Sequence, residues 1–283
     1  MNILVTGGNG FVGTALIKEL KSQGHKLYSI DDLSIGTQDN EVEGVTYIYD
    51  DVNNIFNHDI PDIHFVFHLA GLSRIQPSFY DPITTFIANS MTTQIICEWA
   101  RLTKVRRLIY SGSSSRWHNP YLSPYATYKH LGEEVCKMYK KSYNMDTHIV
   151  RFYNVYGPGE IVDGDWAAVV GKWRRQVRDG ESITIVGDGE QRRDFTHIDD
   201  IVDGLIKIMK TTHEVEDAWE LGTGENYSIN ELYEMFNDKF GVGKVYIDDQ
   251  IGNYRETLRE RDDALDKLDW NPTDKLKDYI KNL

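Results

Sequence analysis

Cysteine is nearly absent. The 283-residue chain has two, Cys97 and Cys136, and both fall in helical patterns. Neither a disulfide framework nor a zinc-ligand spacing can be built from them, so no metal centre is expected. A reducing, cytoplasmic setting fits such cysteine usage. Basic residues are also scarce: 31 Lys and Arg face 44 Asp and Glu, a net charge of −13. Phosphate backbones repel such a chain, which argues against a nucleic-acid partner. A small anion held by a few local arginines stays open. Long apolar runs are missing too. None approaches the ~18–20 residues that a membrane-crossing helix needs, so no membrane partner is expected. Met1–Thr6 runs straight into glycines, without the basic flank and apolar stretch of a signal peptide. There is no internal repeat or low-complexity linker. What is present, 40% hydrophobic and 27% charged residues, is enough to bury a core at a length that favours two lobes.

The first half alternates two kinds of segment. Ile3–Val5, Leu27–Ile30, Thr46–Tyr49, Phe65–Leu69, Leu108–Tyr110 and His148–Phe152 are short and rich in β-branched or aromatic residues. Several are apolar at consecutive positions, as strands covered on both faces are. Between them lie amphipathic stretches, including Thr14–Gln23, Thr84–Thr103 and Pro124–Tyr143. This order predicts an α/β fold, a Rossmann doubly wound parallel sheet with crossover helices. From about Gly157 the segments shorten and turn clusters appear at Gly157-Pro158-Gly159 and Gly187-Asp188-Gly189. The expected division is a dinucleotide-binding domain over residues 1–156 and a smaller mixed α/β C-terminal substrate lobe over residues 157–283. A segment near residues 195–215 is expected to return to the first domain.

The first strand ends in Thr6-Gly7-Gly8-Asn9-Gly10-Phe11-Val12-Gly13, and a helix follows. Gly7 suits the tight turn, Gly10 a close backbone approach to a pyrophosphate, and Gly13 close helix–strand packing. Unpaired N–H groups and the positive helix end would face the phosphates. The plain alternative is a tight strand–helix turn with no ligand. The second strand ends at Asp31-Asp32. Asp31 stands 18 residues past Gly13, close to the about 20 expected for an acid that accepts from a ribose 2′-hydroxyl. A carboxylate there would repel a 2′-phosphate, which favours NAD over NADP. Asp51, after the third strand, could reach an adenine amino group. Leu69, Ala70 and Gly71, after the fourth, could line the floor of the site. His68 reads better as a satisfied core histidine than as a functional group.

Ser123-Pro124-Tyr125-Ala126-Thr127-Tyr128-Lys129 opens a helix, with Ser123 as N-cap and Pro124 as the first helical residue. Tyr125 and Lys129 are four residues apart and share one face. A tyrosine is a poor base at neutral pH. An ammonium, a helix N-terminus and an oxidised nicotinamide nearby would all favour its phenolate. Tyr125 could then take the proton of a sugar hydroxyl as it is oxidised. The fifth strand ends in Tyr110-Ser111-Gly112-Ser113-Ser114-Ser115. Ligands of open parallel sheets sit at such carboxyl ends, so a serine there could bond the same oxygen. Taken singly, a Tyr-x-x-x-Lys pair is a solvated helix face and a serine cluster is loop.

Together these features resemble the extended short-chain dehydrogenase/reductases, and above all the NAD-dependent nucleotide-sugar epimerase/dehydratase branch. Thr-Gly-x-x-Gly-x-x-Gly, the acid after the second strand, His68-Leu69-Ala70-Gly71, the serines and Tyr-x-x-x-Lys carry the likeness. So do Arg151-Phe152-Tyr153-Asn154-Val155-Tyr156-Gly157-Pro158-Gly159, Gly187-Asp188-Gly189-Glu190-Gln191-Arg192-Arg193-Asp194-Phe195, Leu221-Gly222-Thr223-Gly224 and Leu268-Asp269-Trp270-Asn271-Pro272. The resemblance implies a catalytic trio of Ser113, Tyr125 and Lys129. It implies that Phe11, Val12, Asp32, Leu33, Ser34, Val52, Asn89, Ser111 and Tyr153 join the glycines, Asp31, Asp51 and residues 69–71 around NAD. Ser73, Ser113, Ser114, Asn154, Arg193 and Arg255 would hold the nucleotide sugar. Arginine suits that task because its planar fork matches phosphate oxygens. A homodimer through helices near Thr84–Thr103 and Pro124–Tyr143 is implied as well.

Every reaction of the branch begins with hydride leaving C4 of the sugar. Dehydratases of the branch carry an Asp-Glu pair after the catalytic Ser or Thr, and decarboxylases usually a Glu at the second position. Here Ser114 and Ser115 stand there. A hydroxyl cannot replace a carboxylate as an acid or base at neutral pH. The expectation is therefore 4-epimerisation of a UDP-sugar. Dehydration or decarboxylation within the same family is the alternative, and a non-catalytic NAD sensor is the alternative of another class. Three departures from the family pattern leave the sugar open. Only 12 residues separate Ser113 from Tyr125, Arg116-Trp117-His118 replaces Val-Tyr-Gly, and Glu220 stands where Asn is common.

Overall fold

The computed structural model describes residues 1–283. In chain order its elements are β1 (Asn2–Thr6), α1 (Phe11–Ser22), β2 (Lys26–Asp31), β3 (Thr46–Tyr49), β4 (Phe65–His68), α2 (Ile75–Tyr80), α3 (Pro82–Phe86), α4 (Thr92–Leu102), β5 (Arg107–Ser113), α5 (Pro124–Tyr143) and β6 (Thr147–Phe152). Then come β7 (Val155–Tyr156), α6 (Val169–Arg178), β8 (Ile183–Val186), β9 (Arg192–Asp194), β10 (Thr196–His197), α7 (Ile198–Lys210) and β11 (Trp219–Leu221). The last are β12 (Asn226–Ser228), α8 (Ile229–Phe240), β13 (Lys244–Ile247), β14 (Glu256–Thr257), α9 (Asp263–Leu268) and α10 (Leu276–Lys281).

Successive strand side chains point to opposite faces, and β1 shows the consequence. Ile3 and Val5 pack into one core with Leu16, Ile17 and Leu20 of α1 and with Ile201 and Leu205 of α7. Leu4 packs into the other, with Ile96 and Cys97 of α4 and Cys136 of α5. Both faces are thus covered, and the sheet is parallel throughout, in the order β3-β2-β1-β4-β5-β6-β11. This is the Rossmann arrangement. The two cysteines are free thiols, buried side by side in the second core. A third core, around Trp173, Ile183, Ile185, Leu232, Phe236 and Leu276, belongs to the mixed α/β C-terminal region.

Chain order and spatial grouping separate after residue 195. Helix α7 packs against α1, β11 forms the seventh strand beside β6, and Ala264, Leu268 and Trp270 join the first core. The sequence does not announce β11 as a strand, since it is three residues long and Glu220 is its centre. The single helix expected over Thr84–Thr103 is also corrected. Asp81 caps a short α3 through Thr84 N–H, and a π-helical turn spans Ile87–Met91 before α4 begins. By contrast α5 runs Pro124–Tyr143 as expected. Ser123 Oγ accepts from Ala126 N at 3.1 Å, and Asn144 ends the helix in the left-handed region at φ 54°. No helix is long and apolar enough to cross a membrane.

Candidate active site

The strand order reverses between β1 and β4, and ligands of open α/β sheets bind at such a switch point. Thr6 and His68, the last residues of those strands, lie in register. The loops that follow touch. A Cβ on Gly7, which sits at φ 72°, would come within 2.8 Å of Ala70 N, and one on Gly13 within 2.2 Å of Gly7 O. Gly10 caps α1 without a side-chain hydrogen bond, and the first helical bond is Thr14 N to Gly10 O. The N–H groups of Phe11, Val12 and Gly13 therefore have no partner within the helix. No acidic side chain stands in its first turn. This cradle fits the pyrophosphate of a dinucleotide.

Buried Asp31 ends β2. Its carboxylate accepts from Asn9 N and Leu33 N, each at 2.9 Å, which leaves lone pairs for a ribose hydroxyl. Burial raises its pKa and the two N–H bonds oppose that. Leu33 is held in the left-handed region at φ 59°, a strain of the kind that collects at functional sites. Asp32 accepts from Ser34 N. Asp51 is exposed and caps the short turn that begins at buried Val52. His68 is enclosed between Thr6 Oγ1 at 2.8 Å and Thr93 Oγ1 at 3.2 Å, and burial pulls its pKa down to about 3. It is a neutral core histidine.

The catalytic candidates meet beyond the ends of β5 and β4. Tyr125 Oη donates to Ser113 Oγ at 3.2 Å. Lys129 Nζ donates to Ser111 O at 2.9 Å and lies, with Asn89 Oδ1, against Gly71. The π-helical turn aims Asn89 inward. Its Nδ2 donates to Leu72 O, while its buried Oδ1 has no protein partner. Desolvation lowers Lys129 to about 8, against the pull of Glu133 one turn on. The protein alone pushes the Tyr125 phenol up, not down. Burial is the largest cause, and the Ser113 bond and the charge of Arg74 oppose it. Sequence reasoning missed Arg74, which has no motif around it.

On the other wall, Arg193 is largely covered. It donates to Arg192 O and to Asn253 Oδ1, and burial lowers it to about 10. Asn154, at φ 26°, spends its amide on Asp194 O and Thr257 Oγ1. Arg255 does not join them: it is exposed and paired with Asp188. Ser73 is exposed beside Arg74. Tyr153 is fully buried, with its hydroxyl on Glu220 at 2.7 Å. Asp194, passed over in the motif, organises this wall by accepting from Thr223, Gly224 N and Arg259 N.

Two departures from the family pattern meet. Trp117 Nε1 donates to buried Glu220 at 2.7 Å, and the Arg151 guanidinium lies 5.1 Å from the Trp117 ring centre. Glu220 also accepts from Glu260 N and Arg261 N. His118 stacks on Tyr254 with ring centres 4.0 Å apart. A cavity of about 210 Å³ opens beside them, lined by Ser114, Trp117, His118, Tyr153, Thr257 and Glu260 among others.

Away from the cleft, Asp146, His148 and Glu214 bring ligand-type atoms within 4.8 Å of one another. Their chemistry does not suit a metal. His148 Nδ1 accepts from Trp219 Nε1, which can only donate. Nε2 must then carry the ring proton, and it faces Asp146 at 2.9 Å.

The family model that matches residues 3–222 is that of the NAD dependent epimerase/dehydratase family. A putative UDP-glucose 4-epimerase of Methanocaldococcus jannaschii is 27% identical over 99% of this chain and 96% of its own length. Among solved structures, the UDP-glucose 4-epimerase of Thermotoga maritima with UDP-glucose superposes with a TM-score of 0.90 at 26% identity, covering 99% of this chain and 96% of that one. The UDP-glucuronic acid 4-epimerase of Bacillus cereus, in complex with UDP-glucuronic acid and NAD, gives 0.89 at 28%, covering 99% and 97%. The match over residues 3–222 shows that this chain belongs to the NAD dependent epimerase/dehydratase family.

Proposed function

We propose that this chain is an NAD-dependent 4-epimerase of a UDP-sugar. The observation that carries the reading is the Ser113–Tyr125–Lys129 geometry with serines, not acids, at positions 114 and 115. The carboxylates nearest to that geometry are already committed. Glu133 holds Arg151 through two bonds, and Glu220 holds Trp117, Tyr153 and two backbone N–H groups. Neither is free to eliminate water from a 4-keto sugar. Solved relatives that hold UDP-glucose or UDP-glucuronic acid support the UDP-sugar class.

The cradle of Gly7, Gly10 and Gly13, with Asp31, holds NAD. Bound NAD⁺ supplies the hydride acceptor at C4 and a positive charge that favours the Tyr125 phenolate. Tyr125 takes the O4 proton, and Ser113 bonds the same oxygen. Lys129 keeps a positive charge beneath them, since a group with pKa about 8 is mostly protonated at pH 7. Once the keto sugar has turned over, Tyr125 would return the proton to O4, with hydride supplied to the other face by bound NAD. The net change is inversion at C4.

Incubation with UDP-glucose, UDP-N-acetylglucosamine and UDP-glucuronate, followed by NMR, tests the reading. C4 inversion of one of them is expected. A 4-keto-6-deoxy product, loss of carbon dioxide, or no inversion with any candidate refutes it. We also propose a homodimer. Ile83, Phe86 and Met91 on the α3–α4 segment and Leu131 and Met138 on α5 leave apolar side chains exposed on neighbouring helices, which supports it.

A further inference from the structure

An acidic protein has carboxylates to spare for its arginines, and the covered arginines here mostly use them. Arg107 holds Asp146, Arg151 holds Glu133 and Asp217, Arg174 holds Glu160, and Arg259 holds Asp262. Arg74 and Arg193 are different. Arg74 Nε donates to Trp166 O at 2.9 Å and Nη1 to Ser73 O at 3.0 Å, while Nη2 finds no protein acceptor. Neither arginine pairs with a carboxylate, and burial disfavours the charge of both. Glu160, itself bonded to Arg174 and Tyr279, acts on Arg74 only from beyond salt-bridge distance, and a covered cation without a paired carboxylate is unfavourable. Two of them in one cleft suit a ligand that brings two anionic groups.

The place of Arg74 separates those groups. Arg74 directly precedes α2. Ser78 Oγ, in that helix, accepts from Tyr125 N at 3.1 Å and donates to Ile75 O, which fastens α2 to the first turn of α5. The guanidinium therefore stands at the Tyr125 end of the cleft and acts on that phenol. If Tyr125 works at O4, the diphosphate on C1 lies across the sugar ring. The anion within reach of Arg74 is then a carboxylate at C6, attached to the carbon next to C4. A planar guanidinium suits it.

We infer that Arg74 pairs with a C6 carboxylate, so that the substrate is a nucleotide-activated uronic acid. The inference rests on the proposed C4 chemistry at Tyr125. Its test is a binding titration of the NAD-loaded protein with UDP-glucuronate, UDP-glucose and UDP, for wild type, Arg74→Met and Arg74→Lys. Wild type is expected to bind UDP-glucuronate at least about tenfold tighter than UDP-glucose, as a charge-assisted bond allows. Arg74→Met loses about tenfold to a hundredfold for UDP-glucuronate, changes little for UDP-glucose, and Arg74→Lys recovers part. Equal losses for all three ligands would place Arg74 on the diphosphate or the Trp166 loop and overturn the inference. So would an unchanged affinity in Arg74→Met, or a wild type that prefers UDP-glucose. Should Arg74→Met fail to fold, as read by circular dichroism, the wild-type preference and Arg74→Lys still decide. Binding needs no turnover, so a missing C4 inversion beside an intact uronate preference would refute the epimerase reading alone.

Discussion

Lys129 offers a test that needs no substrate. Its ammonium is buried among Ser111 O, Gly71 and Asn89, and desolvation lowers it from 10.5 to about 8. One pKa unit corresponds to about 1.4 kcal/mol, so keeping this lysine charged in the fold costs on the order of 3 kcal/mol. The unfolded chain titrates near 10.5 and the native protein near 8. Between those values the unfolded chain binds more protons, so stability from this group rises with pH. Below pH 8 the cost is present in full, and by pH 10 about 2 to 3 kcal/mol of it is relieved. Other groups titrate in the same window, so Lys129→Met is the reference. Urea unfolding of both proteins without NAD, from pH 7 to pH 10, should show wild type gaining on the variant by that amount. At pH 7 the variant should be no less stable than wild type, although it leaves Ser111 O unpaired, and it should be inactive. A stability difference that stays flat with pH would refute the reasoning, because the ammonium would then be solvated as in the unfolded chain.

Tyr125→Phe should abolish turnover while NAD binding, read by isothermal titration, is kept; unchanged turnover would remove the tyrosine from the chemistry. Gly13→Ala drives a methyl to 2.2 Å from Gly7 O, a strain of about 1–3 kcal/mol by analogy with overpacked cores; a lower melting temperature and loss of NAD binding are expected, and wild-type values for both would contradict the cradle. Ile83→Glu puts a charge on the exposed face of α3, where Ile83 is 71% accessible; the proposed dimer should become a monomer by light scattering, and an unchanged mass would place the interface elsewhere. Trp117→Phe removes the bond to Glu220 and should cost about 1.5–3 kcal/mol in urea unfolding, as bonds to charged groups do. Combined with Glu220→Gln the loss should be less than additive, and full additivity would dissolve the pair.

The elements that local physics dictates were legible in the sequence. Several strands, β1 and β4 among them, announce themselves by consecutive apolar residues because both faces of the sheet are covered there. Helix α5 announces itself by Ser123, Pro124 and a full amphipathic run. Tyr125 meets Ser113 and Lys129 meets Ser111 because one helix and one strand end carry them all. Other features depend on partners far along the chain, and no local pattern encodes them. Strand β11 exists because β6 offers an edge to Trp219–Leu221. The π-helical turn at Ile87–Met91 lies inside an unbroken helical pattern, yet it decides where Asn89 points. Arg74 belongs to no motif and becomes notable only when it proves to have no carboxylate within salt-bridge distance. Arg255 shows the converse: an arginine singled out by its motif lies at the surface, paired with Asp188.

The departures from the family pattern illustrate why residues read singly mislead. A tryptophan in a loop and a glutamate in a strand each look like exceptions. In space they form one device. The Trp117 N–H and the Glu220 carboxylate satisfy each other, Arg151 covers the indole, and Glu220 extends the same hold to the backbone at 260 and 261. A fully buried carboxylate is tolerable only when its oxygens are matched by donors, and here four groups do so. The segment between Ser113 and Tyr125 is anchored to the sheet edge at Trp117, beside the cavity lined by Ser114 and Thr257. Tryptophan and glutamate therefore constitute a single change in the wall of this cavity. The network also reaches the proposed catalytic lysine, because Arg151 holds Glu133, and Glu133 acts on Lys129.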